Sequence, residues 1–541
     1  MKKNLRHILT LLIVVFCGVL GWWVAHGWET TQVRAPRSPQ VEVAQGKVAA
    51  PTSRRARQPI HDEFRDGTTV EIFASREPNE VILRFPTDEA YDEFLFALGG
   101  SKIHLVDQLD RLRAIRLSYD EWTDLSNLLD GENIAAFDSL PAVPGPSPAS
   151  GGDQAGLVGF SDGLLAWLGI TSDNSRWGAG VKVAVLDTGI VAHSALPGFS
   201  QSIAITPFPE DPAKINGHGT AIASLIAGND SSAPGIAPAV ELVSIRVGDD
   251  LGRADSFALA AGILAAVDAG VQIINISMGT TEDNPLIEDA VLYAHAMNVV
   301  IVAASGNSER ADACYPAAYP SVISVGSVDA RGEHLDFSNY GTYLSVTAPG
   351  FAINGAWPGN RYSQVSGTSA SAPIVTGAIA ATMSNGSGVT MTASQAAEIV
   401  MNYSNDAGLP GPDSEYGVGI LDISRIMNRS VGGIVDAAIT NQRIVKSSSP
   451  GASDAIQVTV QNRGTTDLIN TLVEISTPFG SRQFNATTIA PGGIQTFSIP
   501  VRLTGLSQGE PIQVSSTLAL GTIGRDITPQ NNRRSETLYV R

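Results

Sequence analysis

Between residues 155 and 430 the chain alternates two apolar patterns. Short runs at 181–186, 240–246, 271–276, 299–303 and 322–325 are mainly apolar and rich in Val and Ile. Longer stretches at about 219–227, 255–268, 286–297, 369–383 and 393–403 carry apolar residues at helical spacing. A strand that is apolar at nearly every position is buried on both faces. The alternation therefore predicts an α/β domain, a parallel sheet with helices on both faces. In such sheets the functional crevice lies beyond the C-terminal ends of the strands.

The flanks differ. In 76–145, strand signals at 80–85, 102–106, 112–117 and 133–137 alternate with helical ones at 87–98 and 119–129. Tyr91, Phe94, Leu95 and Leu98 share one helix face, behind Thr87 and Asp88 at the cap. The order β-α-β-β-α-β predicts a ferredoxin-like α+β unit. In 434–541, strand-like runs at 456–460, 472–475, 495–501, 512–519 and 536–540 are separated by Gly, Pro, Asn and Ser. They predict an all-β sandwich. Residues 29–75 are polar, lack periodicity and read as a linker. Arg54-Arg55-Ala56-Arg57 within it reads as solvated charge, with a processing site as the alternative. The Pro-rich stretch at 141–148, followed by Gly151-Gly152, is a second linker that a protease could reach.

Residues 1–28 form a separate segment. Lys2, Lys3 and Arg6 precede an apolar run at 8–24 that ends in Gly21-Trp22-Trp23-Val24. It suits a signal peptide, with Ala25-His26-Gly27 as a cleavage site, or a transmembrane anchor. Either way the remainder lies outside the cytoplasm, as a secreted, periplasmic or membrane-tethered protein.

Composition removes some alternatives. The 541 residues carry a formal net charge of -18, so a basic footprint for nucleic acid is absent. The two cysteines, Cys17 and Cys314, supply no disulfide framework, because Cys17 lies in the N-terminal apolar run. No His/Cys cluster suits zinc, and no acidic loop has calcium-hand spacing.

Three segments carry candidate chemistry. Val183-Ala184-Val185-Leu186-Asp187-Thr188-Gly189 puts a carboxylate just past a buried strand. Gly217-His218-Gly219-Thr220 puts an imidazole at the start of a small-residue helix. Ser366-Gly367-Thr368-Ser369-Ala370-Ser371-Ala372-Pro373 puts a hydroxyl at the start of another. Acyl transfer needs a nucleophile, a base, and a group that holds the base in the right tautomer. A fourth segment, Ala303-Ala304-Ser305-Gly306-Asn307, offers an amide donor for a developing oxyanion. Each motif alone is weak, since Asp-Thr-Gly, His-Gly and Ser-Gly-Thr-Ser all occur in ordinary loops. The four together, in order and at strand ends or helix starts, are specific.

This set resembles the subtilisin-like serine proteases, in that family's order Asp, His, Ser, over roughly residues 160–428. The roles of the triad and of Asn307 are carried by that resemblance. It further implies that Asn275-Ile276-Ser277-Met278-Gly279 supplies the strand that binds substrate backbone, through Ser277, Met278 and Gly279. Ala304, Ser305 and Gly306 would line the pocket for the residue before the scissile bond, with Cys314 near its base. Gly417-Val418-Gly419-Ile420-Leu421-Asp422 resembles the closing segment of the catalytic domain. Two positions depart from the family, Ala221 where a second His is common and Ala370 where Met is frequent; neither does chemistry.

The resemblance makes 76–145 a propeptide that assists folding and inhibits until it is cut within 138–155. The 434–541 unit resembles bacterial cell-adhesion-related sandwich domains, whose ligand would be a surface partner. No cofactor is expected for the chemistry; structural calcium is allowed for, through carbonyls of Tyr315-Pro316-Ala317-Ala318-Tyr319-Pro320-Ser321-Val322. The expected protein is an exported serine endopeptidase made as an autoprocessed zymogen, acting on protein or peptide substrates. The rival is a surface binding protein built on an inactive protease-like domain.

Overall fold

The computed structural model describes residues 69–129, 133–137, 141–142, 157–384, 389–446, 453–501, 507–521 and 524–540. The export segment, the basic cluster at 54–57 and most of the 138–155 linker lie outside them. Among the described residues no helix is long and apolar enough to cross a membrane. The transmembrane expectation is corrected to that extent: nothing in the described residues supplies a span, and residues 8–24, on which it fell, lie outside them.

The N-terminal unit runs β1 (Thr69–Ala74), β2 (Glu80–Arg84), α1 (Asp88–Leu98), β3 (His104–Leu109), β4 (Ala114–Ser118), α2 (Trp122–Leu128) and β5 (Asn133–Phe137). Its sheet order is β3-β4-β2-β1-β5, with β1 parallel to β5 and antiparallel to β2. The expected linker at 29–75 is therefore wrong at its end. Thr69-Val70-Glu71-Ile72-Phe73-Ala74 is a strand between the first and last expected ones. Its two-residue alternation is short and interrupted by Glu71, a charge buried beside Arg84. Thr87 caps α1 as expected, its side chain accepting from Ala90 N–H at 3.2 Å.

The central domain holds a seven-stranded parallel sheet. Its strands are β6 (Lys182–Asp187), β7 (Gln201–Ala204), β8 (Glu241–Arg246), β9 (Ile273–Ile276), β10 (Val300–Ala304), β11 (Val322–Val328) and β12 (Val346–Pro349), in the order β12-β11-β10-β9-β6-β8-β7. The five inner strands are the five apolar runs of the sequence. The two edges, β7 and β12, were not legible: β7 is Gln-Ser-Ile-Ala and largely exposed, and β12 has only four residues. The longer helices are α3 (His218–Ala227), α4 (Ser256–Asp268), α5 (Pro285–Ala296), α6 (Thr368–Ser384) and α7 (Ala393–Asn402).

Strand alternation divides the helices between the faces. Val183, Val185 and Ile273 share a core with residues of α3, α6 and α7. Ala184, Leu186, Ile274 and Ile276 share another with α4 and α5. Phe73, Ile82, Leu112 and Ala114 of the N-terminal unit join that second core, so the unit docks against α4 and α5.

The described residues between 437 and 539 form two antiparallel sheets. One has β15 (Ala437–Val445), β16 (Asp454–Asn462) and β19 (Ile494–Val501). The other has β17 (Leu468–Thr477), β18 (Gly480–Ile489), β20 (Pro511–Ala519) and β21 (Arg533–Tyr539). Between α6 and its predecessors lies a hairpin of β13 (Ile353–Trp357) and β14 (Arg361–Val365). Inward residues of both C-terminal sheets, such as Val458, Val473, Phe497 and Val514, share one core. β15 was missed because the polar run Thr440-Asn441-Gln442-Arg443 interrupts its apolar ends, and β18 because it carries polar residues at most positions. This unit is tied to the central domain: Arg425 Nε donates to Arg463 O at 3.1 Å, and Asp406 N–H to Gln461 Oε1 at 3.1 Å.

Candidate active site

Asp187 continues the odd-numbered series of β6 and so faces α3, where His218 is the first residue. The Asp187 side chain is fully buried, and a buried carboxylate must be matched by donors. His218 Nδ1 lies 2.9 Å from both Asp187 oxygens. Thr188 N–H donates to Asp187 Oδ1 at 2.7 Å, and the Thr188 hydroxyl sits 3.1 Å from the same atom. His218 N–H donates to Asn216 Oδ1 at 2.9 Å, and Gly219 N–H to Thr188 Oγ1 at 3.1 Å. A Cβ on Gly219 would come 2.5 Å from the Gly189 carbonyl oxygen, so only glycine lets α3 start this close to the Asp187 loop.

Ser369 sits at the start of α6, just after Gly367, whose φ is +125°. A Cβ on Gly367 would lie 2.7 Å from Asn307 Nδ2 and 3.3 Å from Ser369 Oγ. That measures how closely the candidate donor and nucleophile flank one backbone position. Asn307 Oδ1 accepts from the Thr368 N–H and from the Thr368 hydroxyl, both at 2.9 Å. The amide is thereby oriented, and its buried Nδ2 has no partner among the described residues. A fixed, unpaired N–H pair beside a candidate nucleophile suits an oxyanion.

The expected pocket residues gather as well. A Cβ on Gly279 would meet Cys314 Sγ at 2.6 Å, and one on Gly306 would meet Cys314 Cβ at 3.4 Å. Cys314 thus lies between the two strand ends. Burial pushes its thiol up to about 12, so it stays neutral. Ala304 and Ser305 are buried at the end of β10, and Ser305 Oγ is 3.3 Å from Asn339 O. Met278 differs: its side chain is in the core shared with α4 and α5, leaving only its backbone for substrate. In the Tyr315–Val322 stretch, the carbonyls of Tyr315, Pro316 and Tyr319 already accept backbone N–H groups. Among the described residues no group of three or more His, Cys, Asp or Glu could hold a metal ion.

Several contributors were not singled out from the sequence. Arg246, which closes β8 opposite Asp187 in register, is 1% exposed. Its guanidinium donates to Thr188 O, to Pro207 O at 3.1 Å and to Asp250 Oδ1 at 3.0 Å, and covers the Phe208 ring. Asp250 O in turn accepts from Asn216 Nδ2 at 3.3 Å. Arg246 therefore braces both the Asp187 and the His218 loops. The available signal was a charge at the C-terminal end of a strand whose middle is largely apolar.

One further contact bears on this site. Ala142, from the stretch after the N-terminal unit, pairs with Gly279 in both directions: Ala142 N–H to Gly279 O at 3.0 Å and Gly279 N–H to Ala142 O at 2.9 Å. On its other side Ala254 N–H donates to Pro141 O at 2.8 Å. The chain thus lies as a short strand between residues 253–254 and 279.

Comparison with known proteins agrees with this geometry. The family model described as the subtilase family matches residues 178–419. A thermostable alkaline protease of Halalkalibacterium halodurans is 36% identical over 253 residues, covering 46% of this chain and 68% of that protein. Subtilisin BL of Lederbergia lenta is 38% identical over 207 residues, covering 38% and 76%. Alkaline elastase YaB of a Bacillus is 30% identical over 310 residues, covering 57% and 82%.

Proposed function

The chain belongs to the subtilase family and is a serine-type endopeptidase, and on that premise we propose that Ser369 is its nucleophile, His218 its base and Asp187 the group that orients the base. Ser369 Oγ attacks the scissile carbonyl as its proton passes to His218 Nε2. Asp187 holds Nδ1–H and stabilises the imidazolium. Asn307 Nδ2 and the Ser369 N–H receive the charge on the carbonyl oxygen. His218 then protonates the leaving amine, and water hydrolyses the acyl-enzyme by the same steps. No cofactor takes part. The inactive-domain alternative is set aside by family membership and by the oriented Asp187–His218 pair. Calcium at Tyr315–Val322 carbonyls would serve stability only; a chelator should then lower Tm and leave the initial kcat unchanged.

We further propose that the chain is an exported zymogen and that 69–142 is its inhibitory propeptide. The observation that carries this is the two-way pairing of Ala142 with Gly279, one residue beyond the Ser277–Met278 strand end. An antiparallel pairing there is how a substrate backbone would be held, with specificity left to side-chain pockets. Cleavage is accordingly expected shortly after Ala142, within 143–156. The 434–541 unit is read as a β-sandwich that binds a surface ligand, and removing it should spare peptide hydrolysis. N-terminal sequencing of wild-type and Ser369→Ala protein tests the zymogen reading. Wild type should begin within 143–157 and Ser369→Ala should keep the N-terminal unit; normal processing of pure Ser369→Ala protein would overturn autocatalysis.

A further inference from the structure

A proline inside a helix has no N–H for the carbonyl four residues earlier. In α6 that proline is Pro373, and the carbonyl belongs to Ser369. A buried carbonyl must find another donor. Here the donor comes from the sheet: the Ser277 hydroxyl donates to Ser369 O at 3.0 Å. Ser277 Oγ accepts from Asn275 Nδ2 at 3.0 Å, and Asn275 Oδ1 accepts from the Thr376 hydroxyl at 3.0 Å. The circuit leaves α6 at Ser369, passes through the end of β9, and returns to α6 at Thr376.

Placement follows from strand alternation. Ile273 faces α6, so Asn275 and Ser277 face it too, while Ile274 and Ile276 face α4 and α5. Asn275, Ser277 and Thr376 are all fully buried. An asparagine at the centre of a parallel sheet, between two isoleucines, breaks the apolar pattern and needs a compensating network. Its amide has a defined sense. Flipped, Asn275 would draw the Ser277 proton towards itself and leave Ser369 O without it. Pro373 therefore sets the direction of the whole circuit.

We propose that Ser277, Asn275 and Thr376 are positioning residues for the nucleophile. They supply the hydrogen bond that Pro373 cannot, and so fix the Ser369–Ala370 peptide. With it they fix the Cα from which both Oγ and the N–H of Ser369 project. β9 continues into Gly279, whose backbone pairs with Ala142. The same strand end thus holds a bound backbone and the nucleophile in one register. This rests on Ser369 being the nucleophile.

The test uses the full-length protein after maturation, with sites counted by fluorophosphonate titration. Ser277→Ala is expected to lower kcat per titrated site roughly tenfold, the size of one unsatisfied buried carbonyl, with KM held. Adding Pro373→Ala restores an N–H at the right helical position, so the Ser277→Ala/Pro373→Ala protein should regain most of the loss. An unchanged kcat in Ser277→Ala would overturn the proposal. So would a loss that Pro373→Ala does not recover. Because kcat is counted per site, a partly misfolded preparation does not mimic either result. If Ser369→Ala instead kept activity, the nucleophile assignment itself would fail.

Discussion

At Asn307 one side of the amide is spoken for and the other is not. Thr368 binds Oδ1 twice, which leaves Nδ2 aimed past Gly367 towards Ser369. Asn307→Ala should therefore reduce kcat by about 10²–10³-fold with little change in KM, the size of loss such a donor carries in subtilisin. Thr368→Val should lose part of the same effect by removing one of the two bonds that hold the amide. At Gly367 the argument is steric. A φ of +125° disfavours any side chain, and a Cβ would collide with Asn307 Nδ2. Gly367→Ala should fold yet titrate slowly with a fluorophosphonate; a normal rate of labelling would contradict this account.

Among the elements, β2 and α5 are joined by one charge. The Arg84 guanidinium binds Glu71 Oε2 at 2.6 Å within its own sheet and Asp289 Oδ2 at 2.5 Å on α5. Its side chain is 11% exposed, and Glu71 is more buried still. Removing the arginine would break its buried pairing with Glu71 and Asp289, a cost on the order of 3–5 kcal/mol. Arg116 acts similarly on Asp255, the cap of α4, and stacks on Phe257. Arg84→Met and Arg116→Met should thus loosen the N-terminal unit from α4 and α5. The lag between cleavage and full activity should shorten in both, read as a time course of peptide hydrolysis. An unchanged lag would mean that these pairs do not hold the proposed propeptide in place.

The whole molecule adds a joint between the central domain and the C-terminal sheets. Asp406 lies there, accepting from Gly411 N–H at 2.7 Å and from the Thr440 hydroxyl at 3.2 Å. Burial raises its carboxyl to about 6. Between the ordinary carboxylate range and 6, the folded state keeps a proton that the unfolded chain has released. The stability from this group is therefore present below that range and lost as pH rises through 6. Asp406→Asn removes the titration. Its Tm relative to wild type should rise on going from about pH 5 to about pH 8, measured by calorimetry. A constant difference would place the pH response elsewhere.

The sequence by itself determined the inner sheet, the five helices and the four motif segments. Continuous Val- and Ile-rich runs can only be buried on both faces, and Asp187, His218, Asn307 and Ser369 each stand at an element's end, where side chains are free to converge. It did not reveal β1, β7, β12, β15 or β18, because edge strands and half-exposed strands need not be apolar. Nor could local pattern show that Pro373 and Ser277, 96 positions apart in the chain, answer one another. Only the tertiary structure decided that, since strand register and helix packing bring Ser277 to a carbonyl that the helix itself cannot satisfy. The same holds for Arg246 and Ala142. Their roles depend on what lies opposite them in space, and a buried polar group is matched by whichever partner the fold delivers.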